Sequence, residues 1–404
     1  MEMRIVVAVT ATAALVAGCT SVVSGHAVRD ASLTPNSDGA IVALLNHGNY
    51  PTTPAGPLGA AGDKGHLVQS QRLAEDLVLP SDVDKQIADA GDLNGLGAAL
   101  PLPTTDIVDQ FVVPGAGPIL QSHQYVAGFA ASRIGRVSTG TSKAMTTMLI
   151  QFPDPPTAVD AAAQLAAAPG LRGAPRTSVP VPAHPEAVAS TFSIGGTDHI
   201  LETYTARGPF VLYQFVNSEE SLDVAVSLTS ATLDRQIPRV DAVVPPAPPE
   251  IGNLPRDPTG VYAATLRAGD DSVDFTDGVY GAQGGLAFEN NTVDMAALYA
   301  DTGVDVVARG MSVVYRTKDP DAARRFTAEL NKDAATNKAV TALPPVLGLP
   351  QSRCYSSSSG QGSTQRTTYQ CVATAGRFAF RVFSQQREDV AQRTAAQYLM
   401  LAAM

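Results

Sequence analysis

Met145-Thr146-Thr147-Met148-Leu149-Ile150-Gln151-Phe152-Pro153-Asp154-Pro155 reads as a strand over Met145 to Phe152 that hands over to a helix starting at Asp154-Pro155 and running to about Ala168. An Asp N-cap accepts the orphan N–H groups of the first turn, and Pro at the first helical position has no N–H to leave unpaired. The same succession returns at Met311-Ser312-Val313-Val314-Tyr315-Arg316-Thr317-Lys318-Asp319-Pro320, where a strand over Met311 to Thr317 leads into a helix to Leu330. The apolar faces coincide. Ala158, Ala161 and Leu165 occupy the register of Ala323, Phe326 and Leu330.

The match continues downstream. Ala187 to Ile194, His199 to Ala206 and Phe210 to Val216 read as three strands, followed by a helix from Glu219 to about Gln236. The second half answers with Ser352 to Ser357, Arg366 to Thr374 and Phe378 to Phe383, then a helix from Arg387 to about Leu401. Gly208-Pro209-Phe210 lines up with Gly376-Arg377-Phe378. The expected fold class is therefore α+β, in two related halves, each a strand, a helix, a three-strand meander and a helix, and the economical origin is an internal duplication. Convergent patterning without duplication stays open, because each matched segment is short. Weaker counterparts are Gly39 to Leu45 with Gly260 to Leu266, and Tyr125 to Phe129 with Asp294 to Leu298.

Val244-Pro245-Pro246-Ala247-Pro248-Pro249 is a stiff proline linker and the best internal boundary. The expected organisation is a signal peptide over 1–18, a tether over 19–37, a first half over 38–243, the linker over 244–250 and a second half over 251–404.

The leader carries the address. Ile5 to Val16 is apolar but too short to span a bilayer, as in a secretory signal, and it ends in Val16-Ala17-Gly18-Cys19. That ending resembles the lipobox of bacterial lipoprotein precursors. The resemblance implies cleavage before Cys19, a diacylglyceryl thioether on its sulfur, and acylation such as palmitate on the new amino group; two or more chains give stable anchoring where one does not. The alternative is a chance cysteine in a plain signal peptide. The basic start is thin, with Arg4 opposed by Glu2, and initiation at Met3 gives a cleaner one. The expected location is the extracytoplasmic face of the cell membrane, lipid-anchored.

At 404 residues the chain has room for two cores, and its net charge of −10 disfavours nucleic acid and anionic headgroups as partners of the globular part. Membrane contact then falls to the acyl chains. Trp is absent and Ala, Val, Thr, Gly and Pro dominate, a composition of GC-rich bacterial genomes.

With Cys19 taken by lipid, Cys354 and Cys371 remain as a pair in an oxidising compartment, where a disulfide is the default. A two-ligand metal site lacks a nearby His. The repeat adds geometry. Facing residues of an antiparallel hairpin have a constant index sum, and this pair centres on Gly362-Ser363, while the corresponding Ala189 and Thr203 centre on Gly196. Facing strand positions suit a disulfide, and closing so short a loop stabilises by about 3 kcal/mol in the chain-entropy model.

Three further segments complete a resemblance: Gly48-Asn49-Tyr50-Pro51-Thr52-Thr53-Pro54, Gln71-Arg72-Leu73-Ala74-Glu75-Asp76-Leu77-Val78 read as a helix, and its exit Pro80-Ser81-Asp82-Val83-Asp84. With the lipobox and the length, they make the chain similar to a family of cell-envelope lipoproteins of mycobacteria and related actinobacteria whose function is not established. The resemblance covers most of the chain and brings no catalytic residue with it. Read physically, Gly48 to Pro54 is an extended, φ-restricted connector with a packing role.

No motif declares a chemistry. His26, His47, His66, His123, His184 and His199 sit singly, without zinc spacing, and no Gly-x-Ser-x-Gly elbow occurs. Ser138-Thr139-Gly140-Thr141-Ser142-Lys143 lacks the Gly-Lys-Ser/Thr core of a phosphate loop and reads as a strand-edge turn. Asp270, Asp271, Asp274 and Asp277 form the one weak metal candidate; their spacing misses the calcium-loop pattern, and a solvated turn is the simpler reading. Gly278, Gly281, Gly284 and Gly285 carry no dinucleotide fingerprint and read as turns. No cofactor beyond the lipid on Cys19 is expected.

Two functions survive. One is a non-catalytic envelope lipoprotein whose groove between the halves binds a hydrophobic or glycolipid ligand, or a partner protein. The other is an envelope hydrolase using dispersed carboxylates, such as Asp198 with Glu202 or the Asp270 to Asp277 cluster. A deep apolar cleft favours the first, and two close carboxylates raised in pKa in a polar cleft favour the second.

Overall fold

Both Asp-Pro helix starts form. Asp154 Oδ1 accepts from Thr157 N at 2.8 Å and Asp319 Oδ1 from Ala322 N at 2.7 Å. The structure, a computed structural model, describes residues 33–111, 115–136, 142–168, 174–193, 199–269, 274–336, 339–360 and 365–404. The first half contains α1 (Gly65–Arg72), α2 (Pro80–Val83), β1 (Asp89–Ala90), β2 (Ala99–Leu102), α3 (Thr105–Phe111), α4 (Ala116–Ser122), β3 (Ala127–Arg136), β4 (Ser142–Gln151), α5 (Pro155–Ala167), β5 (Thr177–Ser178), β6 (Val188–Phe192), β7 (His199–Arg207), β8 (Phe210–Ser218) and α6 (Leu222–Asp241). The second contains β9 (Gly278–Gly281), α7 (Ala282–Leu286), α8 (Thr292–Thr302), β10 (Val306–Arg309), β11 (Ser312–Arg316), α9 (Pro320–Thr336), β12 (Val340–Leu343), β13 (Arg353–Ser359), β14 (Arg366–Ala375), β15 (Phe378–Ser384) and α10 (Arg387–Ala402).

The fold is α+β with two antiparallel sheets, ordered β1-β3-β4-β8-β7-β6-β5 with β2 also on β3, and β12-β13-β14-β15-β11-β10-β9. Read from β3 and from β10, the two orders are the same. The registers agree as well. Ala189 faces Thr203, Thr203 faces Gln214 and Gln214 faces Thr147, just as Cys354 faces Cys371, Cys371 faces Val382 and Val382 faces Ser312. Such agreement over four strands is what a duplication leaves, because a slip of one residue would turn every side chain to the other face. Gly208 and Gly376 hold φ of 54° and 53° at the same β7–β8 and β14–β15 turns, a left-handed position that glycine occupies without strain.

In each half the two long helices cover opposite sheet faces. Ala158, Ala161 and Leu165 of α5 pack on Met148, Ile150 and Tyr213, while Ala225 and Leu228 of α6 pack on Met145, Leu201 and Val216. Ala323 and Phe326 of α9 meet Tyr315 and Ala379, and Tyr398 and Leu401 of α10 lie with Val314, Phe380 and Val382. The disulfide Cys354–Cys371 sits on the α10 face, with a Cα separation of 4.1 Å.

The sheets stay separate and share a core. Leu73, Leu77, Phe129, Leu149 and Leu212 from the first half meet Tyr280, Leu286, Val307 and Val313 from the second. Arg133, fully buried, ties the same seam by donating from Nη1 to Glu289 O at 2.8 Å and from Nη2 to Ala287 O.

Several readings change. Gly278 to Gly285 is not a set of turns but strand β9 running into α7. Gln71 to Val78 is not one helix: α1 ends at Arg72 and a 3-10 turn, Leu73–Glu75, follows. Tyr125 to Phe129 enters a strand, whereas Asp294 to Leu298 lies in α8; the partner of β3 is β10, since each flanks the strand before the Asp-Pro helix. Helix α9 extends past Leu330 to Thr336. Residues near the N-terminus pack on the second half: Ala40 and Leu45 join the core around Tyr398, and Tyr50 Oη donates to Asp389 Oδ1 at 2.5 Å. Gly39 to Leu45 and Gly260 to Leu266 thus lie side by side in one core rather than as equivalents.

Candidate functional site

Between the halves, α1 and the 3-10 turn Leu73–Glu75 that follows it are seated on glycines. Gln71 and Glu75 stand four residues apart and project together onto β9 and α7. A Cβ at Gly278 would meet Gln71 Oε1 at 2.6 Å, and one at Gly281 would meet Glu75 Oε2 at 2.7 Å. A side chain at either position would push the Gln71 carboxamide or the Glu75 carboxylate away from its present seat. Gln71 Nε2 then donates to Asp277 O at 2.8 Å and to Phe275 O at 3.1 Å, while Glu75 Oε1 accepts from Gly284 N at 2.9 Å. Gly285 makes room for Val307 in the same way.

Beside this lock lies an open cleft of about 430 Å³. Its apolar wall is Val243 and the linker residues Val244, Pro245 and Pro246, faced by Val279, Tyr280 and Val306. Val244 is 95% exposed, a large aliphatic side chain left in water. Polar groups enter from both halves: Gln69, Gln71, Arg72, Glu75 and Asp76 from the first, Thr259 and Asp305 from the second. Burial pushes the Glu75 carboxyl above its ordinary range, against backbone N–H groups of Gly284, Gly281 and Gln283 that favour its charge. Burial also raises Asp76, opposed by Arg72 and Arg239. Glu75 is held by the amides of the second half, so it is fixed as a strut between halves.

The carboxylates singled out in the sequence fall elsewhere. Glu202 is 1% exposed and accepts from Tyr213 Oη at 3.0 Å and Tyr204 Oη at 3.1 Å, with the Arg176 guanidinium closing the ion pair. It is sealed from any substrate. Asp198 lies outside the described residues, as do Asp270 and Asp271 and the lipidation candidate Cys19. Asp274 spends its carboxylate on Thr276 N at 2.9 Å and Thr276 Oγ1 at 2.8 Å. Asp277 sits with it, its pKa raised to about 6 by burial and then by Asp274. Among the described residues no three His, Cys, Asp or Glu side chains converge as a metal site requires, and no helix is long and apolar enough to cross a membrane.

Sequence reasoning missed Gln71, Glu75 and the carboxylate at the heart of the second half, Glu289. Glu289 accepts from Tyr315 Oη at 2.7 Å, Tyr299 Oη at 3.1 Å and Arg381 Nη2 at 3.0 Å. The glycine spacing 278, 281, 284 and 285 was the available signal for the lock. Each half thus buries one glutamate among two tyrosines and an arginine, although the residues are not in equivalent positions.

No curated protein and no solved structure matches the chain. The N-terminal model of a domain of unknown function, DUF7373, matches residues 57–256, and the C-terminal model of the same domain matches residues 260–404. These spans meet between the halves described above, and the chain belongs to the DUF7373 family, with both of its domains present.

Proposed function

We propose that this is a lipid-anchored lipoprotein of the actinobacterial cell envelope, held at the extracytoplasmic face through Cys19, that binds a hydrophobic or glycolipid ligand, or an apolar segment of a partner protein, between its halves without catalysing a reaction. The observation that carries this reading is the cleft of about 430 Å³ with its aliphatic linker wall. Pockets of this size with a mainly apolar lining and a few oriented polar groups suit small amphipathic ligands. The lipobox Val16-Ala17-Gly18-Cys19 and the paired Cys354 and Cys371 support export and anchoring.

The hydrolase reading draws on Glu75 and Asp76, neighbouring carboxylates both raised by burial in the cleft. It is the weaker reading, because the Glu75 carboxylate is committed to the α7 amides.

The test is native mass spectrometry and lipid extraction on protein purified from its own membranes, beside Val244→Glu and Val279→Glu variants. A stoichiometric lipid that is depleted at least tenfold in the variants is expected. A wild-type protein free of lipid, or lipid retained equally by both variants, would count against the cleft. Anchoring is read separately, by radiolabelled palmitate incorporation that Cys19→Ala abolishes.

A further inference from the structure

The duplication lets one copy serve as a control for the other. With Ala189 matched to Cys354, Thr203 to Cys371 and Gln214 to Val382, Phe192 stands where the second half has Ser357, Ile200 where it has Thr368, Glu202 where it has Gln370, and Tyr213 where it has Arg381. All eight side chains lie on the face covered by α5 or α9.

In the first half that space is filled. Phe192 is 5% exposed and packs against Phe215 at 6.4 Å between ring centroids, and the Arg176 guanidinium lies 5.5 Å over Phe192 and pairs with Glu202. In the second half Phe192 and Arg176 are replaced by smaller residues, while Tyr355, standing where the first half has Ser190, lines the same face. The residue equivalent to Arg176 is Val340, since Thr177 faces Thr191 as Thr341 faces Ser356. Ser357 and Thr368 are exposed, Gln370 is half-buried, and a cleft of about 480 Å³ opens over them.

The floor of that cleft is the Arg381–Glu289 ion pair at 3.0 Å, and Phe383 offers an aromatic face at its edge, 36% exposed. Among the described residues, the side chains of Ser357, Thr368 and Gln370 make no hydrogen bond within the protein. Losing an apolar plug exposes sheet surface and gains nothing for stability by itself. What it yields is a row of hydroxyl and carboxamide groups beside an aromatic ring, over a floor whose charges cancel. Asp294 adds a negative charge to the lining. That disfavours an anion and suits a neutral ligand with both hydroxyl groups and C–H faces.

We infer that the face of the second sheet between α9 and β13–β14 is a saccharide-binding cleft, opened by replacement of the residues that plug its counterpart in the first half. This does not rest on the lipid reading of the inter-half cleft. The two sites share none of their lining residues.

The experiment is saturation-transfer NMR on the full mature chain with maltose, cellobiose and chitobiose as probes. At least one disaccharide is expected to receive saturation from the protein. Two variants locate it. Ser357→Phe restores the first-half plug, and Gln370→Ala removes a hydrogen-bonding group without filling space; each should weaken binding at least tenfold. The absence of transfer to all three probes overturns the inference, as does transfer that survives both variants unchanged. If Ser357→Phe fails to fold, Gln370→Ala decides alone, and lipid occupancy of the inter-half cleft should be unaffected by it.

Discussion

Asp277 carries a charge that the fold disfavours. Burial and the neighbouring Asp274 raise its pKa from 3.8 to about 6, with Arg309 opposing. A carboxyl raised in the folded state contributes its stabilisation below the unfolded value and loses it as pH climbs through the folded one. Between about pH 4 and pH 6 the native state therefore gives up stability through this group, and at pH 7 it carries a charged Asp277 at a cost. Asp277→Asn should stabilise the protein at pH 7.5, on the order of 1 kcal/mol once solvent screening of a partly exposed group is allowed for, and should be neutral at pH 4. Urea midpoints at the two pH values check this. An equal shift at both would mean that charge is not the cause. The same residue bears on the acidic cluster, since a bound divalent cation would drive Asp277 back to the charged form and pull its pKa down.

At the scale of the element, the β13–β14 hairpin shows the clearest division of labour. Its Ser-rich outer half faces water, while its base is pinned by Cys354–Cys371, a link of sequence separation 17 with both residues buried. The double variant Cys354→Ala, Cys371→Ala should lose about 3 kcal/mol, seen as a lower urea midpoint, and reduction of the wild type should reproduce the loss. Hydrogen exchange should quicken first in β12 and β13, the outer strands of that sheet. The hairpin was legible in the sequence because its information is local: a constant index sum across a turn, an Asp-Pro helix start, a glycine before Phe378. Strands β3 and β10, and the short edge strands β5 and β12, were not, since their pairing is set by partners elsewhere in the sheet. Neither was the seat of α1. Gln71 and Glu75 look like an ordinary polar helix edge until glycines 200 residues away are placed under them. The sealed Glu202 was misread for a related reason, because a lone Glu in a strand says nothing about whether its neighbours bury it.

For the whole molecule, the consequence of these non-local contacts is that chain order and spatial order disagree. The residues before α1 belong to the second half: Asn36 Nδ2 donates to Tyr398 Oη at 2.7 Å, Ile41 N to Gly348 O at 2.8 Å, and Ala55 N to Ala263 O at 2.9 Å. Arg393 Nε donates to Tyr50 Oη at 3.0 Å, closing a network with Asp389. The arm leaves an apolar hole if removed, since Ala40 is fully buried and Leu45 is 9% exposed. The first half holds none of these contacts, yet it shares the core around Leu73, Phe129 and Tyr280 with the second. A soluble chain beginning at residue 57, where the family match starts, should therefore damage the far end of the molecule. Relative to a chain beginning at residue 33, it should lose on the order of 3 kcal/mol from buried apolar surface and severed hydrogen bonds. Hydrogen exchange should accelerate in α10 and around Val346 to Leu349 while β3 and β4 keep their protection. Equal acceleration across both sheets would show instead that the halves unfold as a single unit, with the arm stabilising both through the shared core. Unchanged exchange in α10 would remove the arm from the account of stability altogether.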